Sequence, residues 1–290
     1  MAIILMINLK GGVAKTTNAV AVAECFADEG RQVLLIDADH QCMASEMLLG
    51  EERLLRCEKR GRTLHDMLAA MLDDEFEEES VPYFVEEGGS NIGSGYANLH
   101  VLPCSLRIDD FEKSMRKSRN NYRSSDDWIR DINKKRRRLR NYLSTKYDYT
   151  IVDCPPALAI QLQVLVPVAD AFVIPSIPDQ LSIRGSMLLL DRLRRANFSK
   201  VRPLGMLWSL YRQQARAHRE AVERAARGTP PFDQLPRPFE TVIPNASKIA
   251  DSTDPSKNFT SYYAKYTPAF ARLYQNLCGE IRKRVNSARQ

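Results

Sequence analysis

The sequence predicts an α/β fold: a mostly parallel, twisted sheet of about seven or eight strands with helices on both faces. Two observations carry this. Short apolar runs alternate with longer segments of helical periodicity, and several of the runs are almost continuously apolar, as strands covered on both faces must be. The first run, Ala2–Ile7, also leads directly into Lys10-Gly-Gly-Val-Ala-Lys-Thr-Thr17. A strand, a glycine turn, then a lysine and hydroxyls opening a helix is the local design of a phosphate-binding loop.

The strand-like runs are Ile3–Asn8, Val33–Asp37, Leu99–Pro103, Tyr149–Asp153, Ala171–Pro175, Leu204–Trp208 and Thr241–Ile243. Helical patterns fall between them at Lys15–Glu29, Thr63–Leu72, Ser105–Lys117, Asp126–Leu143, Ala157–Val166, Leu181–Arg195, Gln214–Ala226 and about Ser261 to Val285. Strands alternating with helices imply crossover connections and a parallel sheet. Residues 73–98 begin with an acidic run and end in a Gly/Ser-rich stretch, which reads as a surface loop. Residues 228–238 carry Pro230, Pro231, Pro236 and Pro238, a stiff connector that cannot be helix. No repeat or linker divides the 290 residues, so one domain, 1–290, is expected.

Apolar residues make up 44% and charged residues 27%, which is ordinary for a globular protein. No apolar run approaches the ~20 residues of a membrane helix. No basic region precedes the first apolar run, so a signal peptide is not expected and a cytoplasmic location is. The six cysteines contain no Cys-x-x-Cys pair, and the four histidines do not cluster with them. A zinc or iron–sulfur site within the chain is therefore not expected. Charge is uneven: residues 181–290 hold 20 Lys and Arg against 8 Asp and Glu, while residues 1–180 hold 22 against 28. A basic C-terminal part suits a polyanion partner, or is a solvated arginine-rich surface.

In the loop, Gly11 and Gly12 let backbone N–H groups approach an anion, with Val13 and Ala14 completing the turn. Lys15 suits the β and γ phosphates, Thr16 a Mg²⁺ ligand, and Thr17 the α phosphate. The following helix points its N-terminal dipole at the charge. Asp39 lies at a strand's C-terminal end; it is placed either to orient water or to cap a helix. Asp37 ends the same strand and suits support of the Mg²⁺ shell or the loop. Asp153 ends another buried strand ahead of Pro155-Pro156, as a carboxylate meeting Mg²⁺ through water would.

Leu9 and Ala14 occupy the two glycine positions of the usual Walker pattern, and Lys10 precedes the glycines. The loop instead resembles the deviant form of the ParA/MinD family of ATPases. The resemblance continues through Leu34-Leu-Ile-Asp-Ala-Asp-His-Gln41, Tyr147-Asp-Tyr-Thr-Ile-Val-Asp-Cys-Pro-Pro156, Pro175–Gly185 and Val242-Ile-Pro-Asn-Ala-Ser-Lys-Ile-Ala250, so it runs from residue 3 to about 255. It is closest to the ParA (Soj-like) branch without an N-terminal helix-turn-helix. His40 replaces the family's proline, Cys42 and Met43 replace a Gly-Asn pair, and Ala14 replaces a frequent glycine.

The resemblance implies a P-loop NTPase fold and an ATPase using ATP and Mg²⁺. It implies that Asp39 orients the attacking water. It places Trp208, Ile243 and Pro244 near the base and makes Lys10 a signature lysine reaching the partner's phosphates in a homodimer. A cation supplied in trans offsets charge as the phosphoryl group leaves. It further implies non-specific DNA binding, association with the nucleoid, and a ParB-like or other adaptor that stimulates hydrolysis.

Candidate DNA contacts in the basic part are Arg184, Arg192, Arg194, Arg195, Lys200 and Arg202, then Arg212, Arg216 and Arg219, then Arg282, Lys283 and Arg284. Arginines on adjoining helices give salt-sensitive phosphate contacts with little base reading. The cluster Lys134-Lys-Arg-Arg-Arg138 ranks second, because its helix also reads as a solvated basic face. The terminal helix carries an apolar stripe. It either docks on the core, which its ordinary spacing favours, or binds membrane as in a MinD-like positioning ATPase. Stable membrane insertion is not expected. A metabolic enzyme of the same fold is the third reading, but the chain lacks an iron protein's cysteine pair.

Overall fold

The computed structural model describes residues 1–73, 76–196, 198 and 200–287. In chain order the main elements are β1 (Ala2–Met6), α1 (Lys15–Asp28), β2 (Val33–Asp37), α2 (Met43–Lys59), α3 (Leu64–Ala70), α4 (Val81–Phe84), β3 (Leu99–Leu102), α5 (Phe111–Asn120) and α6 (Ser125–Lys146). There follow β4 (Tyr149–Asp153), α7 (Leu162–Leu165), β5 (Ala171–Ser176), α8 (Gln180–Arg195), β6 (Arg202–Trp208), α9 (Arg216–Ala226), α10 (Ser247–Asp251) and α11 (Tyr262–Ser287).

The expected α/β architecture is present, with six strands among the described residues in the order β3-β2-β4-β1-β5-β6, every pairing parallel. The run Thr241–Ile243 is not a seventh strand. It follows the end of β6 through Ile243 N–H to the Trp208 carbonyl (2.8 Å) and an isolated bridge between Tyr211 and Pro244. Its neighbour Pro244 has no N–H to extend a ladder.

Side chains of successive strand residues point to opposite faces. Ile3, Leu5, Leu34 and Ile36 belong to one apolar core, with α3, α5, α6 and α8. Ile4, Met6, Val33 and Leu35 belong to the other, with α1, α2 and α11. Each large apolar side chain fully buried here contributes roughly 1.5–3 kcal/mol. Both faces being covered explains why the strands read as unbroken apolar runs.

Several element expectations change. The sequence reading has no helix at α2, where a break at Gly50 (φ 71°) interrupts the periodic pattern. Across Ala157–Val166 only the single turn α7 forms, between the Pro155-Pro156 pair and Pro167. In 73–98, α4 and the antiparallel bridges Glu86–Val101 and Gly89–Tyr96 hold the chain against β3, with Phe76, Val81, Phe84 and Val85 buried. Asp74 and Glu75 of the acidic run lie outside the described residues. In 228–238, Phe232 and Leu235 are buried. No helix among the described residues is long and apolar enough to cross a membrane.

The chain leaves β1 through α1 towards β2 and β3 on one side, and later places β5 and β6 on the other. The C-terminal end of β1 therefore sits at the switch point, where open α/β sheets bind ligands.

Candidate active site

Residues 10–17 turn from β1 into α1 at that point. Gly12 has φ +69°, and a β-carbon added at Gly11 or Gly12 meets nothing within 4 Å. The loop thus borders open space at its glycines. Ala14 caps α1 in the left-handed region (φ 61°, ψ 35°). For a residue with a β-carbon this conformation costs roughly 1–2 kcal/mol. It is held from outside: the Asn18 amide donates to the Ala14 carbonyl (2.8 Å) and to Ser209 Oγ (2.9 Å), and Tyr274 O–H donates to Asn18 Oδ1 (3.1 Å). Nothing local in the sequence marks Asn18, because these partners lie 191 and 256 residues away.

Lys15 is 6% exposed, and its ammonium donates to the Lys10 carbonyl (3.3 Å). Burial lowers its pKa, while Asp153 and Asp39 oppose the fall. The three strand-end carboxylates have different surroundings. Asp37 is fully buried: Oδ2 accepts from Ser45 N–H (2.8 Å) and Oγ–H (2.7 Å), and Oδ1 accepts from Asp39 N–H (3.2 Å). Burial raises its pKa to about 6 against those hydrogen bonds. With both oxygens accepting from protein donors, Asp37 braces α2 and Asp39, which fits the loop-support side of the sequence expectation.

Asp153 shows the opposite condition. It is 0% exposed, and neither carboxylate oxygen has a protein hydrogen-bond partner. Burial and the nearby Asp37 push its pKa well up; the Thr16 hydroxyl and Lys15 oppose the rise, though Thr16 makes no hydrogen bond of normal geometry to it. A buried acceptor left unsatisfied costs ~1–3 kcal/mol. A hydrated cation between Thr16 and Asp153 would satisfy it. One hydroxyl and one buried carboxylate make a sparse oxygen set of the kind that suits Mg²⁺, which keeps its waters and takes few protein ligands.

Asp39, 9% exposed, accepts from Gln41 N–H through Oδ1 (3.1 Å), with His40 Nδ1 3.7 Å from the same oxygen. The Gln161 amide, also missed in the sequence, donates to the Ala38 carbonyl (2.7 Å) and fixes the strand end that carries Asp39. Asp39 does not cap α2, whose N-cap is Cys42.

Lys10 faces away from Lys15. Its ammonium is 3.2 Å from both Asp179 oxygens and 2.9 Å from Ser182 Oγ, at the start of α8 in the same chain. Burial alone would raise the Asp179 pKa. The Ser182 amide and Lys10 outweigh it and hold the carboxyl below its usual range.

The base-site expectation fails at Trp208. The indole is 1% exposed, packs edge-on against Phe232, and leaves its N–H buried without a partner. Ile243 is also buried in the core, and only Pro244 is half-exposed.

The candidate DNA residues separate into different regions. Arg184 and Arg219 are exposed on α8 and α9. Arg195 pairs with Asp191 (2.9 Å) and Arg216 with Glu220 (2.6 Å). With its amide oxygen and nitrogen exchanged, which satisfies both groups, Asn245 accepts from Arg212 Nε (2.9 Å) and Nη2 (3.2 Å). Arg192 and Arg194 are exposed late on α8, and Lys200, Arg202 and Lys283 are exposed at the opposite end of the sheet from the loop. Arg282 and Arg284 are not free for phosphate. Arg282 pairs with Glu29 (2.5 Å), and Arg284 donates to the carbonyls of Leu204, Arg237 and Pro238 and stacks on Phe239. In the second-ranked cluster, Lys135 is buried on Asp131 (2.7 Å) and Arg138 pairs with Glu77 (2.7 Å). The density of charge at 134–138 therefore overstates what faces solvent.

Residues 1–203 match the AAA domain family. The chain belongs to that family and is a ParA/MinD-type P-loop ATPase. Among its relatives is the chromosome-partitioning ATPase Soj of Treponema pallidum, 26% identical over 96% of both chains. Among solved structures, apo McdA from Cyanothece superposes with a TM-score of 0.71 at 18% identity, over 97% of this chain and 99% of that one. Cobyrinic acid a,c-diamide synthase from Mycobacterium smegmatis, with bound ATP analogue and magnesium, reaches 0.65 at 20% identity over 96% and 93%. At such identities the structures establish the fold alone. This ParA/MinD-type ATPase thus shares its fold with a biosynthetic enzyme as well as with McdA.

Proposed function

We propose that this ATPase is a nucleotide-gated positioning switch. ATP joins two copies face to face, the dimer binds DNA without sequence preference, and hydrolysis releases it. In this reading residues 1–290 act as one ATPase domain in the cytoplasm, associated with the nucleoid, and an adaptor of ParB type speeds hydrolysis. Its use is DNA partition or the positioning of intracellular cargo. The alternative use, at a membrane, is not favoured, because the apolar face of α11 packs on α1.

The observation that carries the reading is the contrast between the two loop lysines. Lys15 is buried against its own loop and faces Asp153, so it serves the chain's own nucleotide. Lys10 is half-exposed and clamped on Asp179 and Ser182 at the start of α8. Such a lysine is available to a second chain's phosphates once the clamp opens. Thr16 and Asp153 are the residues that would hold a hydrated Mg²⁺, which would supply positive charge to offset that of the phosphates. The Asp39 oxygen not held by Gln41 accepts a hydrogen bond from the attacking water and so orients it. The loop N–H groups and Lys15 hold the phosphates still. Lys10 from the partner meets charge as it develops, which acts on the transition state and not on the bound substrate.

The test is size-exclusion and DNA co-sedimentation with and without ATP and Mg²⁺, alongside anionic liposomes. Wild type should dimerise only with both, and should hold arbitrary duplex tightly only then. Lys15→Ala should lose nucleotide. Lys10→Ala should bind ATP but neither dimerise nor turn over. Asp39→Ala should stay dimeric on DNA with turnover down about 100-fold or more. Wild-type turnover in Lys10→Ala removes the trans role. Liposome capture without DNA capture removes the nucleoid role.

A further inference from the structure

The end of the sheet opposite the phosphate loop carries a second charged feature. Three concavities of about 540, 470 and 630 Å³ adjoin there through shared residues, Arg140 and Lys200 at one junction and Arg202 at the next. They run from α6 past the starts of β5 and β6 to α11. Eight cations line them, against three carboxylates, Asp170, Glu240 and Glu280.

Two cations are already neutralised: Arg140 by Asp170, and Arg284 by Glu280 and backbone carbonyls. Arg136 donates only to Asn133 Oδ1 (2.8 Å) and the Gln163 carbonyl (2.6 Å), and its Nε has no partner. No carboxylate of the described residues forms an ion pair with Arg137, Lys200, Arg237 or Lys283, all exposed. The excess charge is spread over four separate segments: α6, the α8–β6 connection, the loop at Arg237 and α11. That spacing suits a row of phosphates along a backbone, not one small anion.

A lipid surface fits poorly. None of the large exposed apolar side chains, such as Leu106, Leu181 and Leu188, lines the trough. Membrane-surface elements need an apolar face to insert beside their cations, and α11 spends its own on α1.

We propose that this trough, with Arg136, Arg137, Lys200, Arg237 and Lys283, is a docking surface for the phosphate backbone of duplex DNA, present in the single chain whatever its nucleotide state. The proposal rests on the DNA-binding reading above and states where the duplex lies. Two chains closing through their phosphate loops carry one trough at each outer end. ATP then strengthens binding by joining two weak surfaces, through effective concentration, and does not build the surface.

The experiment measures affinity for a random-sequence duplex across a KCl series. Arg137→Glu with Lys200→Glu should weaken wild-type binding in ATP and Mg²⁺ about tenfold or more. It should also lower the log–log salt slope by about 2. Arg137→Gln with Lys200→Gln is the milder pair if the reversal fails to fold by thermal melt. Arg184→Glu with Arg219→Glu should stay within about twofold of wild type. Lys15→Ala without nucleotide should keep weak, salt-sensitive binding that the trough changes abolish. Normal affinity and slope in the folded trough variants, with loss in the Arg184/Arg219 variant, overturns the trough while leaving DNA binding intact. Absence of duplex binding by wild type in ATP and Mg²⁺ removes the DNA reading itself. Trough-dependent sedimentation with phosphatidylglycerol vesicles in place of DNA overturns the choice of partner.

Discussion

Asp37, Asp39 and Asp153 are three carboxylates within one strand-end cluster, separated in role by what surrounds them. Asp37 is satisfied by Ser45 and the Asp39 amide, Asp39 accepts from the Gln41 amide through one oxygen, and Asp153 has no protein partner. The Asp37 shift has a definite consequence for pH. Its folded pKa, about 6, lies above the ordinary 3.8. Between these values the folded state holds more proton than the unfolded one, so stability falls as pH rises. Asp37 should thus favour the fold most below pH ~4 and lose on the order of 3 kcal/mol by pH ~7. Urea unfolding at pH 4.5 and 7 should show a flatter pH response in Asp37→Asn than in wild type. An identical slope in both proteins would place the titration elsewhere.

Among the elements, α1 connects the site to the rest of the molecule. Its first turn holds Ala14 through Asn18, and one face packs on α11. Its middle carries Glu24, fully buried, which accepts from Lys265 Nζ (2.7 Å), Ser90 Oγ (2.6 Å) and Tyr266 O–H (2.6 Å). Lys265 and Tyr266 lie just before the break in α11 at Thr267 (φ 58°) and Pro268. The break turns that segment so that both reach α1. A buried ion pair adds little when intact but costs about 3–5 kcal/mol when one partner is removed. Lys265→Met should therefore lower unfolding free energy by about that amount. Adding Glu24→Gln to Lys265→Met should recover part of it, because the orphaned charge is gone. A loss below about 1 kcal/mol in Lys265→Met alone would mean that Glu24 finds water or a proton instead.

On the scale of the whole molecule, the two ends of the sheet do different work. The C-terminal end of β1 holds the nucleotide chemistry, and the N-terminal ends hold the basic trough. If two chains close as proposed, the Lys10–Asp179 clamp would set the threshold, since a lysine held by its own chain is not offered to another. Asp179→Asn keeps the cap that accepts from Ser182 N–H (2.7 Å) but removes the charge holding Lys10. ATP-dependent dimerisation should then begin at lower protein concentration, by several-fold in analytical ultracentrifugation. An unchanged or higher threshold would show that Asp179 does not restrain Lys10.

The sequence by itself determined what depends on neighbours in the chain. The apolar runs located six strands, and the order strand, glycines, Lys15-Thr16-Thr17, helix located the phosphate loop. Asp39 and Asp153 followed from their place at strand ends. Tertiary structure decided what depends on residues far apart. Arg284 read as a DNA contact until Leu204 and Arg237 claimed its guanidinium, and Trp208 as a base contact until Phe232 covered it. The 134–138 cluster read as one basic patch, yet folding paired Lys135 and Arg138 inward and set Arg137 beside Lys200, 63 positions on. Periodicity records which face a residue takes on its own helix or strand. Whether a charge is free depends on the partner that packing brings to it, and these partners lie on other elements.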